Sequence, residues 1–127
     1  MDVQVRAWMA LASLSGLMAV AAGAFGAHGV ADPQAKAWLQ TGAQYQMVHA
    51  LAVFGCFAVW RMGGNAAQLA AWLFLAGGLI FGGSLYLMAF GAPRWFGAIT
   101  PIGGGLMMLA WGTLAYAVLV SARSTLV

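Results

Sequence analysis

The few charged residues of this chain divide it into four long stretches that carry no charge at all. Arg6 and Asp32 bound the first stretch, and the others cover residues 37–60, 62–93 and 95–122. A helix needs about 20 mostly apolar residues to cross the hydrocarbon core of a bilayer, and every stretch reaches that length. Only 6% of the residues are charged, against about 25% in soluble domains. We therefore predict an all-α fold, an integral membrane bundle of four transmembrane helices.

The predicted spans leave room only for short connections. They cover about 7–27, 38–60, 67–90 and 96–120. We therefore expect residues 1–127 to form a single transmembrane domain without a soluble one.

Two proline positions carry information about helix boundaries. Asp32 followed by Pro33 is typical of an N-cap and a first helical position, so the second helix is predicted to begin at Pro33. Its first turns then lie at the membrane interface. Pro101, followed by three glycines, is expected to bend or loosen the first third of span four.

The basic residues are scattered and are better read as topology signals than as a binding patch. An even number of spans puts both termini on one side, together with Arg6, Arg61 and Arg123, whereas Lys36 and Arg94 lie on the other. Because loops on the cytoplasmic side carry more Lys and Arg, this pattern predicts that both termini lie in the cytoplasm. The absence of a basic run argues against nucleic acid as a partner.

Small residues recur at helical spacing in two spans. Gly16, Ala19, Gly23 and Gly26 share one face of span one, and Gly78 and Gly82 form a Gly-x-x-x-Gly pair in span three. Lipid provides little hydrophobic drive between helices, so small residues promote packing by letting backbones approach closely. These faces are expected to be helix–helix contacts.

The sequence lacks most of the residues that catalytic chemistry requires. The chain has no Glu, and its two Asp residues lie at the N-terminus and in a loop. No span contains a carboxylate, which argues against an ion-coupled carrier. Cys56 is the single cysteine, so neither an internal disulfide nor a Cys-x-x-Cys site can form. We expect no enzyme activity, no catalytic residue, no metal site and no resident cofactor.

The polar residues of helix two form the one positive signal. Thr41, Tyr45 and His49 are spaced i, i+4 and i+8, and Cys56 follows on the same face. His49 lies about 16 Å from the end of the helix, near the middle of the bilayer, where a polar group is costly. In a structural interpretation, His49 lies in the bundle interior and hydrogen-bonds another span. In a functional interpretation, the stripe binds a ligand or transfers a proton.

If a site exists, it is predicted between the break after span one and the first half of helix two, opposed by span three. The candidate ligand-binding residues are His28, Thr41, Tyr45, Gln46, His49, Ser84 and Tyr86. The polar groups of helix two could hydrogen-bond to Ser84, Tyr86 and Thr100. His28 is about 10 Å shallower than His49 by span counting, so the two are not expected to share a haem iron.

Five short blocks spread over the four predicted spans form a recognisable pattern. They are Gly23-Ala24-Phe25-Gly26-Ala27-His28-Gly29, Tyr45-Gln46, His49-Ala50-Leu51, Phe81-Gly82-Gly83-Ser84-Leu85-Tyr86 and Thr100-Pro101-Ile102-Gly103-Gly104. Together they resemble the family of small membrane proteins catalogued as domain of unknown function 423, related to eukaryotic transmembrane protein 256. The resemblance implies a multi-pass protein of bacterial cytoplasmic membranes and implies no activity.

Two functions from different classes remain open. The first is a non-catalytic structural or accessory component that packs with itself, as a homo-oligomer, or with a larger membrane complex. The alternative is a protein that binds or passes a small lipophilic ligand, a quinone, a lipid or haem, along the Thr41/Tyr45/His49 stripe.

Overall fold

Residues 2–125, which are the part of the chain described by the computed structural model, form four α-helices; side chains are described as far as Ser121. The helices are α1 (Val3–His28), α2 (Pro33–Arg61), α3 (Ala67–Ala89) and α4 (Thr100–Thr125). A short 3₁₀ helix, Arg94–Ala98, precedes α4. Within this described part there is no β-strand, and the predicted all-α membrane fold is confirmed.

Three segments are long and apolar enough to cross a membrane: α1, α3, and residues Arg94–Ser121, which include most of α4. Helix α2 is less clearly a span by composition, because its first half carries Lys36 and several glutamines. Its 29 residues nevertheless extend over about 43 Å, more than the hydrocarbon core requires. Helix α2 packs along both α1 and α3, as expected for a fourth helix of the same bundle.

The helix boundaries follow from local chemistry. The Asp32 carboxylate accepts a hydrogen bond of 2.8 Å from the Ala35 backbone nitrogen, and Pro33 occupies the first turn, which confirms the predicted start of α2. Gly63 and Gly91 have φ angles of +96° and +108°. Only glycine adopts such values without strain, so these two residues allow the chain to turn after α2 and α3.

The start of α4 differs from the sequence prediction. Helix α4 begins at Thr100, so Pro101 lies in its first turn, where the missing N–H of proline has no helical partner to lose. The three glycines that follow remain helical. The expected loosening of the chain falls before Pro101, in the 3₁₀ segment Arg94–Ala98, which overlaps the start of the predicted span four.

Helices α2 and α3 form the centre of the bundle. Helix α1 packs mainly on α2, and α4 packs mainly on α3 and only slightly on α2. Half of the most apolar window of α3 is buried, against 17% for α1 and 22% for the segment that contains α4. Because α2 and α4 both rest on α3 without closing on each other, a cleft lies between them.

Glycines bring the central helices close together. A Cβ atom on Gly42 would approach the Tyr86 ring to 2.6 Å, and one on Gly103 would lie under 3.0 Å from backbone atoms of Gly77 and Phe81. The α2–α3 and α3–α4 contacts thus require glycine at these positions.

The small-residue face of α1 behaves largely as predicted. Ala19 is buried, and Gly23 and Gly26 pack against Ala43 and Leu39 of α2. The fourth member of that face, residue 16, is the exception, because nothing lies within 4 Å of a Cβ built there.

Candidate functional site

The polar stripe of α2 does not face the bundle interior as a whole. Gln46 and His49 are buried, with 1% and 7% of their surface exposed, whereas Thr41 is exposed and Tyr45 is 46% exposed. Residues four apart are displaced by about 40° around a helix axis, so a row at i, i+4 and i+8 drifts across the surface. The prediction of one inward polar face is therefore wrong for Thr41 and Tyr45 and holds for His49 and Cys56.

Gln46 is the polar centre of the α1–α2–α3 contact. Its Oε1 accepts a hydrogen bond of 2.7 Å from the Tyr86 hydroxyl of α3. Its Nε2 donates to the Met18 sulfur of α1 at 3.3 Å. A buried amide that is bonded to both neighbours costs little and holds three helices in register.

For His49 the prediction had two parts: burial in the bundle interior and a hydrogen bond to another span. The side chain is buried, but its Nδ1 bonds the Tyr45 carbonyl of its own helix at 2.6 Å, so the expected bond to another span is wrong. The reason lies in its neighbours: Phe74 and Trp111 face the imidazole ring with centroids at 5.7 and 5.9 Å. These rings offer no acceptor, whereas the carbonyl one turn back on α2 lies within reach.

The Tyr45 bond decides the tautomer of the His49 ring. A carbonyl oxygen can only accept, so Nδ1 carries the proton and donates it. In the neutral ring Nε2 is then left with a lone pair. Across residues 2–121, whose side chains are described, no group hydrogen-bonds to this Nε2 atom.

His49 lies at the inner wall of the cleft between α2 and α4. The cleft has a volume of about 580 Å³, within the range of about 300–1,000 Å³ that is typical of small-molecule sites. Its lining is apolar and aromatic apart from His49. The lining residues are Tyr45, His49, Phe81, Pro101, Gly104, Gly105, Met107, Met108 and Trp111.

Aromatic rings hold the imidazole in place. Tyr45 stacks parallel to His49 at a centroid distance of 6.2 Å and contacts Phe81 of α3 at 4.8 Å. Trp111 meets Phe74 edge-on at 4.8 Å. Rings from α2, α3 and α4 thus fix the orientation of His49 without using its Nε2 atom.

The polar groups of span three pair in two different directions. Tyr86 points to Gln46, as described above. Ser84 donates to the Phe81 carbonyl at 2.9 Å and lies 2.6 Å from the Thr100 hydroxyl. Because Ser84 uses its proton on that carbonyl, Thr100 is the donor in the second bond. Ser84 therefore connects α3 with the start of α4 and does not oppose α2.

His28 lies far from this cleft. It is the last residue of α1 and is exposed, and the Lys36 ammonium bonds the neighbouring Ala27 carbonyl at 3.2 Å, which places the end of α1 beside the first turn of α2. From there to His49 the helix runs about 20 Å. No group of three or more His, Cys, Asp or Glu side chains that could hold a metal occurs among the described residues.

Sequence reasoning missed three residues that shape the site. Met18 accepts from Gln46, while Phe81 and Trp111 line the cleft. Each stands in an uncharged run among many apolar residues. The pattern contains no signal that separates them from ordinary lipid-facing side chains.

Four long helices, three of them in segments apolar enough to span a membrane, define a multi-pass integral membrane protein of the all-α class. The family model described as "Protein of unknown function (DUF423)" matches residues 22–104. This chain belongs to that family, which confirms the resemblance seen in its sequence blocks.

Relatives extend the similarity over most of the chain. A UPF0382 membrane protein of Haemophilus influenzae is 41% identical over 112 residues, covering 86% of this chain and 90% of the relative. The Bacillus subtilis UPF0382 membrane protein YwdK is 37% identical, with coverage of 84% and 91%. The Escherichia coli UPF0382 inner membrane protein YgdD is 33% identical, with 86% of each chain covered. No solved structure matches this chain.

Proposed function

We propose that this protein binds a small lipophilic molecule within the bilayer, in the cleft between α2 and α4. The observation that carries the proposal is the Nε2 atom of His49, an acceptor without a hydrogen-bond partner among the described residues, on a residue that is 93% buried. His49 lines a cleft of ligand size.

The physical argument begins with the cost of polar groups in lipid. Water cannot satisfy them there, so each group needs a partner inside the protein or on a bound molecule. An acceptor left without a partner in surroundings free of water costs about 1–3 kcal/mol. Gln46, three residues earlier on α2, meets this requirement through Met18 and Tyr86. Of the two ring nitrogens of His49, only Nδ1 has a hydrogen-bond partner, and a ligand in the cleft would provide the partner for Nε2.

The shape of the cleft suits entry from the side. Tyr45 is 46% exposed and Met108 76% exposed at its rim, so a molecule dissolved in the hydrocarbon core meets the opening directly. A molecule that enters along this route remains in an apolar environment until its polar group reaches His49.

Among the lipophilic ligands considered from the sequence, an amphiphile with one polar group is favoured over haem. His28 lies at the end of α1 beside the first turn of α2, and from there α2 runs about 20 Å to His49, so the two histidines cannot ligate one iron. Haem remains an outcome of the test, since a coloured protein would reveal it at once.

The structural or accessory role stays a prediction with a weaker motive. Its sequence argument was the presence of glycine-rich faces together with the lack of carboxylates in the spans and of soluble loops. Gly23 and Gly26 are occupied by α2, Gly42 and Gly82 lie at the α2–α3 contact, and Gly103 packs on α3. These glycines are not available to a second copy, whereas an added Cβ on Gly16, Gly83 or Gly112 would have nothing within 4 Å.

Native-membrane extraction tests the proposal. The protein is purified in mild detergent, scanned for visible absorbance and extracted for lipid-soluble compounds. We expect a compound that is enriched with the wild type and lost from His49→Phe, which keeps a ring and removes both nitrogens. His28→Phe is the matched control and should retain the compound. Extracts that are identical for all three proteins would refute the proposal.

We further propose that the protein resides in the cytoplasmic membrane with both termini in the cytoplasm. The E. coli relative is named an inner membrane protein, and Arg6 and Arg61 lie on the terminal side, as the positive-inside tendency requires. Reporters that are active on only one side of the membrane, fused to each terminus, test this orientation. Signals from the outer side would contradict it.

A further inference from the structure

We infer that the ligand of the cleft carries a phenol-type hydroxyl that donates a hydrogen bond to His49 Nε2, and that carbonyl compounds are poor ligands. This inference rests on the function proposed above, because it names the chemical class that the same cleft accepts. It follows from three observations: the tautomer of His49, the remaining polar atoms of the cleft, and the aromatic lining.

The tautomer sets the direction of the hydrogen bond. The Tyr45 carbonyl holds the His49 proton on Nδ1 at 2.6 Å. Moving that proton to Nε2 would place two acceptors, Nδ1 and the carbonyl oxygen, against each other at that distance. Nε2 is therefore held as an acceptor and recognises a donor on the ligand.

The other polar atoms of the cleft do not favour a carbonyl ligand. The Trp111 indole N–H can only donate, and the Tyr45 hydroxyl can donate or accept. A ligand carbonyl can accept a hydrogen bond from Trp111 or Tyr45, but it cannot donate one to Nε2. A ligand hydroxyl donates to Nε2 and can still accept from either of the other two groups, which a carbonyl cannot do.

The lining favours a ring next to that hydroxyl. Tyr45 and Phe81 lie 4.8 Å apart in a tilted pair, and Trp111 stands edge-on to His49 at an angle of 67°. Such walls offer both ring faces and ring edges to an aromatic guest. Met107 adds a polarizable thioether that also packs well against rings.

Three probes of nearly equal shape separate donor from acceptor ligands: a short-tailed hydroquinone, its quinone and its dimethyl ether. Only the hydroquinone can donate. Binding to detergent-purified wild-type protein is measured without oxygen. We expect the hydroquinone to bind at least about tenfold more tightly than the other two, because they leave Nε2 unpaired. Equal or tighter binding of the quinone or the ether would overturn the inference.

Variants distinguish this failure from that of the proposed function. His49→Phe should bind all three probes alike and weakly, whereas His49→Gln supplies a new acceptor oxygen and should restore part of the preference. His28→Phe should behave as wild type. If the three probes bind the wild type equally and binding depends on His49, the cleft is a site and the hydroxyl inference falls. If none of the probes binds the wild type, both the inference and the proposed function are contradicted. If the His49 variants do not fold, the comparison of the three probes on the wild-type protein still tests the hydroxyl inference.

Discussion

Gln46 and His49 lie three residues apart on the same helix, and both are buried, yet they use their polar atoms differently. Gln46 bonds α1 through Met18 and α3 through Tyr86. Among the described residues, His49 bonds only the preceding turn of its own helix, and aromatic rings lie around it. One residue joins three helices, and the other lines a cleft with one ring nitrogen unused.

The difference teaches how polar residues in a membrane bundle divide between structure and binding. A group whose hydrogen bonds all reach neighbouring helices stabilises their arrangement, so its removal should lower the free energy of unfolding. A group that is held in place by packing and leaves one atom unused contributes little to stability. Its removal should weaken ligand binding. The following predictions test this division between stabilising groups and ligand-binding groups.

The largest effect is expected where the contact between α3 and α4 is disturbed. Gly103→Ala places a Cβ within 3.0 Å of backbone atoms of Gly77 and Phe81, so α4 must move away from α3. We expect a loss of about 1–3 kcal/mol in unfolding free energy, as for other overpacked sites. Denaturation by a harsh detergent, followed by helix content, measures it. Gly112→Ala, with nothing within 4 Å of the new atom, should unfold as wild type does.

Removing the Gln46 amide comes second. Gln46→Leu keeps the size of the side chain but leaves the Tyr86 hydroxyl without its acceptor. We expect a loss of about 1–2 kcal/mol in the same unfolding assay. The double variant with Tyr86→Phe should be less destabilised than the sum of the two single variants, because no polar atom is then left unpaired. Strict additivity would show that the two groups do not interact.

His49→Phe should change stability less than the Gln46 variant does, by under about 1 kcal/mol, because only one bond within α2 is lost. Retention of a co-purified ligand should nevertheless fall at least about tenfold. Unfolding curves and extracts of the same preparations separate the two effects. A His49 variant that is less stable than the Gln46 variant would reverse the division drawn between the two residues.

The smallest effect belongs to Thr41, which the sequence places on the same stripe. Its side chain is exposed at the surface of α2. Thr41→Val keeps the shape and removes the hydroxyl, so we expect a change within about 0.5 kcal/mol and no change in ligand retention. A clear loss of bound ligand in this variant would extend the site beyond the cleft.

The fold was largely predictable because the charges that interrupt apolar runs also mark where helices leave the membrane. The boundaries at Asp32 and Gly63 follow from local capping and turn chemistry. The site was less predictable, since it depends on how α2 is rotated about its axis. Gly42 packs against the Tyr86 ring, where a Cβ would approach to 2.6 Å. In this orientation of α2, Gln46 is buried and Thr41 is exposed, which the spacing of polar residues does not reveal.

The partner of His49 was missed for a related reason. Sequence spacing indicated a buried histidine and nearby hydroxyls but not which groups would meet. Ser84 is satisfied by Phe81 and Thr100, and Tyr86 by Gln46. No hydroxyl of α3 therefore remains for His49, and its own helix supplies the bond.

The central claim is that His49 holds its proton on Nδ1 and offers Nε2 to a ligand. Nitrogen NMR of protein labelled at its histidines, with His49→Phe used for assignment, reads both ring nitrogens directly. We expect a protonated Nδ1, an unprotonated Nε2, and an Nε2 resonance that shifts when a hydroquinone is added and not when its dimethyl ether is added. A proton on Nε2 in the neutral ring, or an Nε2 signal indifferent to both compounds, would contradict the account.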